Sequence, residues 1–142
     1  MHKTRISKEK IDAYLNTDYR LNHVPAPFSL TVGARSDALL ELFSVFNTQC
    51  GALITACNPA GTEQSEQANL AAQEQLVKEL AQLGFAWIDA AAIAKDASWP
   101  AERGCFIFGI ELDQAKTIGS RYLQDAIIWA ADNGVAQLIL LR

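Results

Sequence analysis

Leu53-Ile54-Thr55-Ala56-Cys57-Asn58-Pro59 is a short apolar run that stops abruptly at Thr, Asn and Pro. It reads as a buried strand whose C-terminal end opens into a polar loop over 60–64, the position where open α/β sheets usually hold their ligands. A helix is predicted over 65–83, opening near Ser65 with Asn69 in its first turn. On that helix Asn69, Ala72, Gln73, Leu76, Val77, Leu80 and Leu83 share one face, and Gly84 supplies the stop.

Working outward toward the C-terminus, a strand is expected over 85–93, a polar loop containing Trp99 and Pro100 over 95–103, and a second strand over 105–110. Asp113 is placed to cap a long helix reaching Asn133, apolar almost all round through Leu123, Ala126, Ile127, Ile128 and Trp129, with Gly134 as its exit. An apolar strand over 135–141 closes the chain. Toward the N-terminus, Ser36 caps a helix carrying Leu39, Leu40, Leu42, Phe43 and Phe46, and an alternating strand over 28–32 ends at Gly33. Pro25 and Pro27 break the segment before it, and Ser7 caps a first short helix with Ile11, Tyr14 and Leu15 on its apolar stripe.

The resulting order is αβαβαββαβ. It predicts an α+β domain with a mixed β-sheet, a βαββαβ ferredoxin-like core preceded by an N-terminal helix and a βα addition. A three-layer α/β sandwich is the alternative, because the additional helix can lie on the opposite face.

The 142 residues suit one domain, half of them apolar and a fifth charged, so a single compact core is expected. The net charge of −4 speaks against a nucleic-acid-wrapping protein. Charge is nonetheless uneven: Lys3, Arg5, Lys8, Lys10, Arg20 and Arg35 face only Glu9, Asp12 and Asp18 in the N-terminal quarter. That segment reads either as a solvated helix face or as a contact for phosphate or RNA. Cys50, Cys57 and Cys105 form no CxxC pair, so neither a disulfide framework nor a zinc site is implied. The N-terminus lacks the apolar core of a signal peptide and the chain holds no membrane-length apolar run, so the expected home is a reducing cytoplasm.

The chemistry-bearing set starts at the strand end. Asn58, held extended by the following proline, would aim its amide away from the sheet edge, and the free N–H groups of the helix opened by Ser65 would favour an anion. The alternative is that Ser65 merely caps and Asn58 merely turns. Asn69 lies on an apolar face and must find partners, either the Asn58 loop or a ligand. Gln124, in the expected central helix, either bonds a backbone group or reaches the same pocket. Glu102 is the one carboxylate nominated as a general acid or base. Cys57 would be a nucleophile only with a base beside it, and the sole histidines, His2 and His23, sit near the N-terminus. No Walker pattern or GxGxxG is present.

Thr55-Ala56-Cys57-Asn58-Pro59, then Ser65 and Asn69, Glu102, and Tyr122-x-Gln124-x-Ala126 together resemble a bacterial family known as domain of unknown function 3293. The likeness extends to Tyr14-x-x-Thr17-x-Tyr19, and so covers nearly the whole chain. It draws attention to Thr17, Tyr19, Thr55, Asn58, Pro59, Ser65, Asn69, Glu102 and Gln124, and implies no activity. Cys57 stands where a bulky residue would be unsurprising and Tyr122 where Phe is common.

The leading expectation is a small anionic or nucleotide-like ligand bound at loop 55–69 by Thr55, Asn58, Ser65, Asn69 and Gln124, with no cofactor or metal. The competing one is a non-catalytic protein- or RNA-interaction module that docks through Lys3, Arg5, Lys8 and Lys10, its polar set acting as internal struts. In a third, the polar set serves folding alone.

Overall fold

A computed structural model describes residues 4–22, 26–96 and 99–142. Lys3, His2, His23 and Pro25 lie outside them. The elements run α1 (Lys8–Leu15), β1 (Thr17–Leu21), β2 (Phe28–Leu30), α2 (Asp37–Val45), β3 (Gly51–Thr55), α3 (Glu66–Leu83), β4 (Trp87–Ala94), β5 (Glu102–Phe108), α4 (Leu112–Arg121), β6 (Ala126–Ala130) and β7 (Ala136–Leu140).

The helix starts are those the serines dictate. The Oγ atoms of Ser7, Ser36 and Ser65 accept from the N–H groups of Lys10, Leu39 and Ala68, satisfying donors that have no partner inside the helix. At the far end of α3, Gly84 turns left-handed at φ 80°.

One expected element is corrected and one unexpected strand is added. Residues 113–133 are not one helix. The fourth helix begins after Glu111 without a side-chain cap, ends at Arg121, and gives way to β6. The end is a Schellman turn: Gln124 N–H donates to Gly119 C=O at 3.0 Å and Leu123 N–H to Ser120 C=O at 3.0 Å, with Leu123 left-handed at φ 57°. Leucine in the position usually held by glycine hides this stop from sequence inspection. The added strand is β1, absent from the expected order although Thr17, Tyr19 and Leu21 alternate inward.

Seven strands form one sheet in the order β2-β1-β4-β5-β3-β6-β7. Every pairing is antiparallel, so the expected mixed sheet is also corrected. The reason lies in the two helical crossovers. Helix α3 carries the chain from β3 to β4 past an intervening β5, and α4 carries it from β5 to β6 past β3. Strands running the same way are therefore never neighbours.

Alternation along the strands separates two cores. On one face Leu53, Phe106 and Ile128 meet Leu39, Leu42 and Phe43 of α2. On the other, Ala52, Ile54, Ile107 and Ile127 meet Leu76 and Leu80 of α3 and Ala115 and Ile118 of α4. Each fully buried leucine or isoleucine contributes about 1.5–3 kcal/mol. Helices thus cover both faces, α2 opposite α3 and α4.

The sheet curls toward the α2 side until its outer strands approach one another. Gly33 N–H donates to Ala136 C=O at 2.8 Å, Ser36 N–H to Gly134 C=O at 2.9 Å, and Arg35 bridges Val135. Among the described residues no helix is long and apolar enough to cross a membrane.

Candidate functional site

The concave side of the curled sheet holds a cavity of about 330 Å³. Its wall is apolar where Leu53, Ala92, Ile128 and Leu138 face inward, and aromatic where Tyr14, Tyr19 and Trp99 approach. α1 covers one side through Lys10, Ala13 and Tyr14, although no residue of that helix is buried. Two hydrogen bonds hold α1 to the strand it precedes: Tyr19 Oη donates to Tyr14 C=O at 2.7 Å and Thr17 Oγ to Ala13 C=O at 2.6 Å.

The polar end of the cavity is built where β3 runs out. Thr55, Cys57, Asn58, Glu102 and Gln124 all line it. Thr55 Oγ donates to Gln124 Oε1 at 2.8 Å, and Gln124 Nε2 donates to the carbonyls of Cys57 at 3.0 Å and Tyr122 at 3.2 Å. Gln124 is buried in the turn between α4 and β6, not on a helix as expected. Gly104 makes this end compact: a Cβ there would lie 2.6 Å from the Ile54 carbonyl oxygen and 2.8 Å from Thr55 Cγ2.

Asn58 is the hub. Its Nδ2 donates to Glu102 Oε2 at 2.7 Å, while its Oδ1 accepts from Asn69 Nδ2 at 3.0 Å and from Gln64 N–H at 3.1 Å. Asn69 Oδ1 in turn accepts from Asn58 N–H at 2.9 Å and from Gln64 Nε2 at 2.7 Å. The expectation that Pro59 keeps Asn58 extended is overturned, since Asn58 adopts φ 48°, ψ 63°. Four side-chain and loop hydrogen bonds offset the steric preference of a pre-proline residue.

Positive φ in non-glycine residues occurs at Asn47, Asn58, Ala60 and Leu123 among the described residues. Three of these, Asn58, Ala60 and Leu123, lie in the two turns behind the polar end, where Ala60 N–H donates to Leu123 C=O at 2.6 Å. Left-handed conformations cost about 1–3 kcal/mol each and persist where surrounding bonds hold them.

Electrostatics differ sharply between the two carboxylates. Burial pushes the Glu102 carboxyl above the usual glutamate value, with the Asn58 amide and the Lys10 charge opposing in part. Burial also acts to raise Asp125, but its bonds and charge interactions with Lys10 and Arg142 outweigh this and hold it below the usual range. Lys10 Nζ pairs with Asp125 Oδ2, and Arg142 lies 2.9 Å from Oδ1. Tyr14, between these groups, is raised by burial and then by the charges of Asp125 and Glu102. Burial also raises Cys57, whose Sγ donates to Arg103 C=O at 3.4 Å, so this thiol is not an activated nucleophile. A carboxyl placed as Glu102 is can take a proton from, or give one to, a group in the cavity.

Of the residues singled out from sequence, Thr17, Tyr19, Thr55, Asn58, Glu102 and Gln124 line the cavity. Asn69 stands behind Asn58 and positions it. Ser65 is exposed and engaged as the α3 cap, and Pro59 only opens the turn after Asn58. Sequence reading missed Asp125, taken as part of an apolar helix, and Lys10, taken as a solvated or RNA-facing charge. The signal for Asp125 was a charged residue inside the most apolar run of the chain. Arg5 and Lys8 remain exposed on the N-terminal segment.

No curated protein and no solved structure matches the chain. A family described as Protein of unknown function (DUF3293) matches residues 54–127, which span β3 to β6 and include Thr55, Asn58, Asn69, Glu102, Gln124 and Asp125. Tyr14, Thr17 and Tyr19 on the other wall fall outside the matched span. The chain belongs to the DUF3293 family.

Proposed function

We propose that this domain binds a small molecule in the concave-face cavity. The observation that carries the reading is convergence: Thr55, Asn58, Glu102 and Gln124, from three separate stretches of chain, meet at one end of an otherwise apolar cavity. Its volume lies at the lower end of the ~300–1,000 Å³ typical of ligand sites. Thr55, Gln124 and Asn58 form the rigid polar end, Asn69 positions Asn58, and Glu102 is the group available for proton exchange. Ser65 contributes only the cap of α3.

The expected anionic ligand fits this cavity less well than an uncharged or cationic one. Of its three lining carboxylates only Asp125 is paired, with Lys10 and Arg142, and Glu63 and Glu102 have no cation partner among the ion pairs of the described residues. Docking of RNA through the basic N-terminus loses Lys10 to the Asp125 pair. The β3-to-β6 unit, with strands lying β4-β5-β3-β6 and two helices on one face, is read as the ferredoxin-like split unit expected from sequence. A reducing bacterial cytoplasm suits the three cysteines, all buried and free.

The test is a chemically diverse fragment panel read by methyl NMR of Leu53 and Ile128. Compounds that move these methyls are expected to lose that effect in Ala92→Leu, which fills the cavity between Tyr19 and Glu102. A panel that never moves them, or hits that bind Ala92→Leu unchanged, would sink the reading.

A further inference from the structure

The hydrogen-bonding groups around the cavity are unequally used. Gln124 spends both Nε2 hydrogens on the carbonyls of Cys57 and Tyr122. The hydroxyl hydrogens of Thr17, Tyr19 and Thr55 go to Ala13 C=O, Tyr14 C=O and Gln124 Oε1, which leaves these oxygens with lone pairs only. Lys10 gives one of its three ammonium hydrogens to Asp125 and is the main donor left at the cavity. Glu102 is the opposite case: Oε2 accepts one bond from Asn58, and Oε1 has no hydrogen-bond partner among the described residues. What the polar end has to spare is chiefly acceptor capacity.

Charge points the same way. Glu63, Glu102 and Asp125 line the cavity, and the two nearby cations, Lys10 and Arg142, both pair with Asp125, so a carboxylate or phosphate would still meet the charge of Glu63 and Glu102. An ammonium group offers three donors and no acceptor, and its bonds to a carboxylate are charge-assisted. The rings of Tyr14, Tyr19 and Trp99 also line the cavity, and aromatic faces attract cations.

We infer that the cavity takes a small primary amine, its ammonium head set against the free oxygen of Glu102 and its apolar stem along Leu53 and Ile128. The inference rests on the reading of this cavity as a ligand site. It assigns Glu102 the recognition of the head group, with Asn58 and Asn69 fixing the carboxylate's orientation from behind.

Phenethylamine, phenethyl alcohol and phenylacetate share a ring and differ in the head group, so titrating each into the full chain separates the classes. Phenethylamine is expected to move the Leu53 and Ile128 methyls and to bind on the order of tenfold more tightly than the alcohol, with phenylacetate weakest. Glu102→Gln, whose side-chain carbonyl still accepts from Asn58, is expected to abolish the amine's advantage over the alcohol. An alcohol or carboxylate that binds as well as the amine, or a preference that survives Glu102→Gln, overturns the inference. In those cases the shifted methyls, lost in Ala92→Leu, leave the cavity reading standing. Failure of all three probes to move the methyls overturns the amine assignment, and the cavity reading falls with it only if the diverse panel also fails. Should Glu102→Gln not fold, the comparison of the three probes on the unaltered protein still decides the matter.

Discussion

Helices α3 and α4 leave the sheet through the same backbone turn made from different residues. At the end of α3, Phe85 N–H reaches Leu80 C=O at 3.1 Å and glycine, Gly84, takes the left-handed position. At the end of α4, Gln124 N–H reaches Gly119 C=O at 3.0 Å and the left-handed position falls to Leu123. Glycine adopts this conformation freely, whereas leucine does so at a cost of about 1–2 kcal/mol. Packing does not explain the leucine, which is 58 % exposed. The two turns differ in the residue that comes next. Phe85 leads into the start of β4 and does not line the cavity, while Gln124 is held by Thr55, Cys57 and Tyr122 at its polar end. Strain is thus tolerated where tertiary hydrogen bonds fix the neighbouring residue.

The largest expected effect comes from cutting those bonds. Gln124→Ala leaves the Thr55 hydroxyl and the Cys57 carbonyl without their partner, and is expected to cost about 3 kcal/mol in urea unfolding. Gln82→Ala, on the exposed end of α3, should stay within about 0.5 kcal/mol. Equal losses at the two helix ends would break the comparison.

Exchanging the turn residues ranks second. Gly84→Leu is expected to destabilise by about 1 kcal/mol, and Leu123→Gly to stabilise by up to about 1 kcal/mol once the greater freedom of glycine in the unfolded chain is counted. Thermal unfolding of the two variants reads the opposite signs. A Leu123→Gly protein that melts earlier would assign the leucine side chain a role of its own.

The smallest effects are those of pH. Asp125 titrates below its usual 3.8 in the folded state, so the unfolded chain binds more protons in between. Its contribution is therefore present above 3.8 and lost as pH falls through the folded value. Glu102 titrates above its usual 4.5, so its contribution is present below 4.5 and lost as pH rises through the folded value. Denaturant melts between about pH 3 and pH 7 should show Asp125→Asn flattening the loss of stability toward acid and Glu102→Gln flattening the loss of stability as pH rises above 4.5. Amide exchange should show the acid loss at Gln124 before Phe85, because only the α4 exit adjoins the Lys10–Asp125–Arg142 cluster.

The legible parts of this fold were those whose cause is local. Ser7, Ser36 and Ser65 announce helix starts because a cap bonds N–H groups only a few residues away, and Gly84 announces an end because its own φ requires it. The α4 stop was hidden because Leu123 lacks the residue type that would mark it. The run Ala126-Ile127-Ile128-Trp129 then fitted a buried helix as well as a buried strand. Short apolar runs carry this ambiguity whenever no breaker bounds them. At the site, Asn58, Glu102 and Gln124 were visible as polar residues beside apolar runs. Asp125 was not, since its ion pairs come from α1 and the last residue of the chain.

The sequence by itself determined three of the four helix starts, the buried character of β3, the closing strand within 135–141, and most polar members of the cavity. Only the tertiary structure decided the strand order, the antiparallel pairing throughout, the left-handed state of Asn58 and the use of Lys10 against Asp125. The first set arises from hydrogen bonds and side-chain periodicity within a few residues. The second depends on contacts between residues far apart in the chain, such as Asn58 with Glu102 and Lys10 with Asp125, which no local pattern encodes.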